Sequence, residues 1–270
     1  MPSAEPTRLT DDLWLAAHDG VKGARLIGDW PLGVGLATGL LAELVYGGFL
    51  ELREGELFRT KGELPGDPAL RPLLVKMEAE ERAWLSPAPP SAWAQVAVRA
   101  YDDEGWESQA PERGGWPPPV REEIRHRQCG HELSLWMSYL AYEGRAEERV
   151  IDRLSRTGLV RRVERRRLFG GATVRYVPCN SFVSGTPANS ITHAVQGGRS
   201  VPWSGLFLAG LFLATGLHHH ALATLSPNER SLLARQIQQG LQDRGKPGLK
   251  EMLQELLRAA DAAVGEAAMR

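Results

Sequence analysis

The run PLGVGLATGLLAELVYGG, residues 31–48, constrains the fold more than any other stretch. Pro31 suits the first turn of a helix, and Gly47-Gly48 suits its end. Between them the pattern is apolar nearly all round, which predicts a central helix with neighbours on every side. Gly33, Gly35 and Gly39 allow those neighbours close, and Glu43 is the only charge. The glycines and Glu43 argue against a membrane span. A second run, 201–217, lacks Asp, Glu, Lys and Arg and reads as another buried helix.

Around these helices the pattern is mainly α. Thr10 or Asp11 is expected to cap a first helix through Leu13 and Trp14, ending near Asp19-Gly20. FLELREGELFRT alternates around Glu54-Gly55 as a short hairpin. Asp67-Pro68 opens a further helix, and Ser226-Pro227-Asn228-Glu229 another, with a last amphipathic helix over 249–269. Residues 1–7 read as a loose tail, 86–91 as proline-rich, and 102–119 as a long surface loop carrying Trp106 and Trp116. Val120–Tyr142 is expected to be helical with a break at Cys129-Gly130. CNSFVSGTPANSITHAVQGGRS, 179–200, reads as a polar linker or mobile loop. One globular helical domain over 8–270 is expected, with small β-hairpins, one of them basic and protruding.

That basic hairpin belongs to the stretch 143–178. Val150, Ile151 and Leu154 face a core, while Arg145, Arg149 and Arg153 recur every fourth residue on one side of a helix. Gly158 ends it, and two β-prone runs follow around Gly170-Gly171. Arg161, Arg162, Arg165, Arg166 and Arg167 crowd the first strand and tip, beside Leu168 and Phe169. Guanidiniums bind phosphate bidentately, and the two apolar side chains could dip into a membrane interface. A solvated helix face and a charge-protected edge hairpin are the plain alternative. The net charge is −1, so this basicity is local; of 32 basic residues, five are Lys.

The chemistry-bearing patterns of enzymes are missing: no G-x-S-x-G elbow, Walker loop or dinucleotide-binding glycine fingerprint occurs. No enzyme and no cofactor is therefore expected. His126, Cys129 and His131 form one imperfect cluster where structural zinc needs two ligand pairs, so no metal is expected. Two cysteines, Cys129 and Cys179, and no signal pattern fit a reducing cytoplasm.

Three blocks in order carry a resemblance: GLATGLLAELVYGGFLEL at 35–52, PGDPALRPLL at 65–74 and ERVIDRLSRTGLV at 148–160. From about Asp12 to Ala263 the chain resembles the Golgi phosphoprotein 3 family, including its bacterial members. The resemblance implies a helical protein sitting peripherally on the cytosolic face of a membrane. Eukaryotic members bind phosphatidylinositol 4-phosphate and act as non-enzymatic adaptors that retain glycosyltransferases. Their head-group pocket uses a Trp before the apolar helix, an Arg early in it, and two basic residues three apart before the hairpin. Trp30 lies in the matching loop, Ala37 replaces the Arg, and Gly144 and Glu147 occupy the two basic positions beside Arg145 and Arg149. The family's Asp-Pro-Arg start of the late core helix becomes Val201-Pro202-Trp203. By this likeness Trp30, Arg145, Arg149 and Arg153 are the expected lipid head-group residues, and Arg165, Arg166, Arg167, Leu168 and Phe169 the membrane or oligomer hairpin. A phosphoinositide-like lipid, a second copy through the hairpin and a membrane-protein client are the expected partners. The alternative is a winged-helix-like regulator using 145–177 on nucleic acid, which the acids Glu147, Glu148 and Asp152 oppose.

Overall fold

The computed structural model describes residues 8–60, 62–85, 130–166, 172–240 and 248–269. The tail 1–7, the Trp106 and Trp116 loop, His126 and Cys129 lie outside the described residues. The chain divides into two compact units, 1–74 with 130–270 and 75–129. Of the second, the described part is the end of a helix carrying the i,i+4 ion pairs Lys76–Glu80 and Glu78–Arg82.

The structure is mainly helical, with small antiparallel sheets. Helix α1 is Leu9–Ala16, α2 Asp29–Tyr46 and α3 Arg71–Leu85. After Gly130 come α4 Leu133–Ala141, a single 3-10 turn Tyr142–Gly144, and α5 Arg145–Arg156. Then follow α6 Ser181–Gln196, α7 Trp203–Ala214, α8 His218–Ala221, α9 Pro227–Gly240 and α10 Leu249–Ala268. Strands β1 Leu50–Arg53, β2 Glu56–Arg59 and β3 His131–Glu132 form one sheet; β4 Val160–Arg166 and β5 Ala172–Pro178 form another.

Helix α2 is the centre of the first unit, packed by α1, α4, α5, α7 and α10. From Leu32 to Val45 every residue is buried. Close approach needs glycine at two of these positions. A β-carbon at Gly33 would lie 2.9 Å from the Ala141 carbonyl oxygen, and one at Gly39 would lie 2.5 Å from Thr10 Cγ2. Helix α7, which carries no charged residue, is mostly buried and packs against α10, α9 and α1. Among the described residues no helix is long and apolar enough to cross a membrane.

Turn chemistry follows local rules. Glu54 and Gly55 both have positive φ, 51° and 80°, the two-residue hairpin geometry that matches strand twist. His131 adds a third strand opposite Leu57, which alternation in the hairpin alone does not reveal. Gly158, at φ 71°, ends the turn after α5. Ser226 and Glu229 cap α9 reciprocally.

Two expectations fail here. Residues 181–196 form a helix rather than a linker: Asn180 accepts from the Phe182 amide, and Ala188, Ile191, Ala194 and Val195 are buried on one face. The Gly, Ser and Thr content hides that face. Thr10 and Asp11 do not cap α1; both lie inside it, buried.

They are buried because Glu43 is. Its carboxylate, at the heart of α2, accepts from the Thr10 amide and hydroxyl at 2.9 and 2.8 Å. Arg153 of α5 supplies the counter-charge, only 2% exposed. Its Nη1 donates to Glu43 at 2.9 Å and Asp67 at 3.1 Å, its Nε to Asp11 at 2.8 Å, and its Nη2 to Thr10. One guanidinium thus ties α1, α2, α5 and the turn before α3. Burial works against the Arg153 charge, but Glu43, Asp11 and Asp67 outweigh it and raise its pKa. Burial pushes the Asp11 carboxyl up to about 6 although Arg153 opposes it. Among the described residues its Oδ2 has no hydrogen-bond partner.

Removing the cation leaves buried carboxylates unpaired. Arg153→Met is expected to lower unfolding free energy by about 3–5 kcal/mol in urea titration, and Arg153→Met with Glu43→Met and Asp11→Asn to recover most of it. The folded pKa of Asp11 is above its ordinary 3.8, so its contribution is fully present below pH 3.8 and is lost as pH rises through about 6. The stability of wild type minus that of Asp11→Asn should therefore fall on the order of 2 kcal/mol between about pH 4 and pH 7. A flat or rising difference contradicts this assignment.

Candidate functional site

A cavity of about 900 Å³ opens between the end of α1, the loop that follows it, the start of α2, the α4–α5 junction and β5. Local chemistry shapes each wall. Asp19 accepts from the amides of Val21 and Lys22, tightening the loop. The loop then doubles back in an antiparallel bridge between His18 and Arg25. On the opposite side, Glu143 and Gly144 take consecutive left-handed conformations, at φ 54° and 71°. That kink turns the chain from α4 into α5 and sets Gly144, Glu147, Glu148 and Ile151 on the cavity wall.

The floor is an ion pair with aromatic support. Arg25 Nη2 donates to Glu147 Oε2 at 2.5 Å, and a second nitrogen of Arg25 meets Asp29. Trp14 Nε1 donates to Glu147 Oε1 at 3.2 Å. His18 stacks on Trp14 with ring centroids 3.8 Å apart. Its Nδ1 lies 2.7 Å from the Trp14 carbonyl, which can only accept, so that nitrogen carries the proton. Nε2 then faces Glu147 at 3.9 Å as a lone pair. Burial lowers the His18 pKa, with the Trp14 carbonyl and Glu147 partly offsetting it, so the ring is neutral near pH 7. Burial also works against the Arg25 charge, but Glu147 and Asp29 more than restore it.

Formal charge in the lining is mostly negative: Asp29, Glu143, Glu147 and Glu148 face Arg25 and Arg175. Asp29 and Glu147 are both paired with Arg25, and Glu143 meets Arg145 at 3.2 Å. Glu148 and Arg175 are exposed, and neither has an ion-pair partner among the described residues. Trp30, Tyr142 and Tyr176 supply aromatic surface.

The head-group residues expected from sequence are distributed differently. Trp30 does line the cavity, anchored by its Nε1 on the Ala263 carbonyl at 3.1 Å. Arg145 and Arg149 are not in the lining. Arg145 donates to the Tyr139 carbonyl and lies over the Tyr139 and Tyr142 rings, 4.6 and 5.4 Å from their centroids. Arg149 is half-buried, and among the described residues its Nε is unpartnered. Arg153 is corrected outright: it is a core ion, saturated by carboxylates and unreachable by lipid. The every-fourth-residue row fails because each step of four advances about 40° round a 3.6-residue helix. Two steps carry it from the surface at Arg145 into the core at Arg153.

In the hairpin, Arg165 and Arg166 hold strand positions opposite Thr173 and Ala172. Arg167, Leu168 and Phe169 lie outside the described residues. His131, from the metal candidate, is a core residue that accepts from Trp136 Nε1 at 3.2 Å. Among the described residues no group of His, Cys, Asp and Glu could hold a metal ion. Arg25, Trp14, His18, Tyr142 and Tyr176 were not foreseen as site residues. Only Glu147 gave a signal, as an acid where the resemblance expects a base.

The chain matches the family described as Golgi phosphoprotein 3 (GPP34) over residues 9–104 and 118–259. No curated protein matches it significantly. The match takes in α1, α2, the kink before α5, the β4–β5 hairpin and all the cavity walls between them. On that coverage, the chain belongs to the Golgi phosphoprotein 3 family.

Proposed function

We propose that this chain is a peripheral membrane protein that meets anionic phospholipid head groups on the cytosolic face of a membrane, as a non-enzymatic adaptor. The carrying observation is the basic hairpin. Strands β4 and β5 pair only with each other among the described residues, and Arg161, Arg162 and Arg175 on them are exposed. Arg162 meets Glu164 at 2.8 Å, while Arg161 and Arg175 have no carboxylate partner among the described residues. Basic residues near an anionic bilayer contribute about 1 kcal/mol each, so several hold a protein reversibly.

The cavity lining gives a phosphate monoester little help, because Glu147 already occupies Arg25. We therefore favour charge-dependent binding over phosphatidylinositol 4-phosphate selectivity. The open strand edges suit a second copy, and the adaptor reading implies a membrane-protein client. Nucleic acid is disfavoured: the outward face of α5 presents Glu148 and Asp152, while Arg153 points into the core.

Vesicle co-sedimentation at about 0.15 M salt tests this, using choline lipid alone, with phosphatidylglycerol, or with phosphatidylinositol 4-phosphate at matched charge. Binding is expected to both anionic mixtures, to weaken as salt rises, and to drop about tenfold or more in Arg165→Ala/Arg166→Ala/Arg167→Ala with Arg161→Ala. Absence of binding to every vesicle, or full binding by the arginine variant, refutes the reading.

A further inference from the structure

We propose that the cavity between α1, α5 and β5 binds a zwitterion in which a phosphodiester is joined to a primary ammonium group, as in an ethanolamine head group. Charges already consumed within the protein do not select a ligand. Arg25 is held by Glu147 and Asp29, and Glu143 by Arg145. What remains in the lining is one acid on α5, Glu148, and one base on β5, Arg175. A ligand that satisfies both must carry charges of both signs. A phosphate monoester dianion meets one available guanidinium and an excess of carboxylates, and a simple amine leaves Arg175 unused.

The aromatic lining distinguishes among ammonium groups. A quaternary ammonium needs open ring faces around it. Here Arg145 already lies over the Tyr142 ring, 5.4 Å from its centroid, and Trp14 is stacked with His18, which leaves two lining aromatics, Trp30 and Tyr176, without such a contact among the described residues. A primary ammonium instead needs acceptors for three N–H bonds. Glu148 and the Tyr142 hydroxyl offer acceptors on the α5 side of the cavity. Arg175 then takes the phosphodiester through its planar fork. The guanidinium that binds phosphate belongs to the same hairpin that the membrane reading places against lipid. This inference rests on that reading only for the lipid as the source of the ligand; a free zwitterion of the same chemistry would bind equally.

Calorimetric titration of the full chain with soluble glycerophosphoethanolamine tests the cavity without any membrane. Glycerophosphocholine and inositol 4-phosphate serve as comparators. Saturable binding of glycerophosphoethanolamine is expected, about tenfold weaker for the choline compound and for Glu148→Gln or Arg175→Gln. Both substituted side chains are exposed, and unchanged thermal melts establish that the variants fold. The Arg165→Ala/Arg166→Ala/Arg167→Ala protein should bind the soluble compound like wild type. Adding ethanolamine lipid to choline vesicles should raise sedimentation of wild type but not of Glu148→Gln. Binding in solution without that vesicle effect supports the zwitterion site and assigns its ligand to a free compound. Absent saturable binding of glycerophosphoethanolamine, binding unaltered in both charge variants, or preference for inositol 4-phosphate overturns the proposal. Any of these can occur while charge-dependent vesicle binding persists, which separates its failure from that of the membrane reading.

Discussion

A single charge buried in an apolar helix governs this structure. Glu43 lies where α2 has neighbours on every side, and a carboxylate there is untenable without a cation and donors. Arg153 supplies the cation, Thr10 the donors, and Asp11 and Asp67 take up the remaining guanidinium nitrogens. A set of this kind adds little net stability over apolar packing, but it is intolerant of error. It therefore ties the rotational setting of α1 and α5 on α2 to the closure of these bonds.

The cavity is a consequence of that setting. With Arg153 and Val150 turned inward, the adjoining flank of α5 brings Glu147 and Glu148 to the cavity, together with Gly144, Gly33 and Ala141. Leu159 and Val160 follow directly, so the direction of α5 also sets where the hairpin begins. Glu147 then draws Arg25 and the loop that carries it, completing the wall. Glu43, Arg153 and Asp11 are not in the lining, yet α1, α2 and α5, which they tie together, all contribute residues to it.

Sequence patterns revealed the frame better than the site. The apolar run at 31–48, the Glu54-Gly55 turn, the Gly158 stop and the Ser226 cap each express a local rule, and each was legible. Residues 181–196 were not, because small polar residues mask a narrow buried face formed by Ala188, Ile191, Ala194 and Val195. The role of Arg153 was hidden by treating its row as one surface. The lone Glu43 was the missed clue, since a buried acid demands an arginine from elsewhere in the chain. Arg25 and His18 could not be read at all: their placement depends on a loop that doubles back and on partners more than a hundred residues away.

Charge is segregated across a short distance of chain. Arg161 and Arg162 lead the hairpin, whereas Glu143 in the kink and Glu147 and Glu148 in α5 precede it in the cavity lining. A uniformly basic surface would bind any polyanion, duplex or bilayer, with affinity set mainly by salt. Carboxylates in the lining leave the hairpin the more basic of the two surfaces and make the cavity penalise extra negative charge. Electrostatic complementarity of this kind contributes selectivity more than affinity. Arg175 lies at the boundary, exposed on β5 and also part of the cavity wall. Among the described residues it is the one basic residue common to the hairpin and the cavity lining, so the two surfaces meet at a single guanidinium.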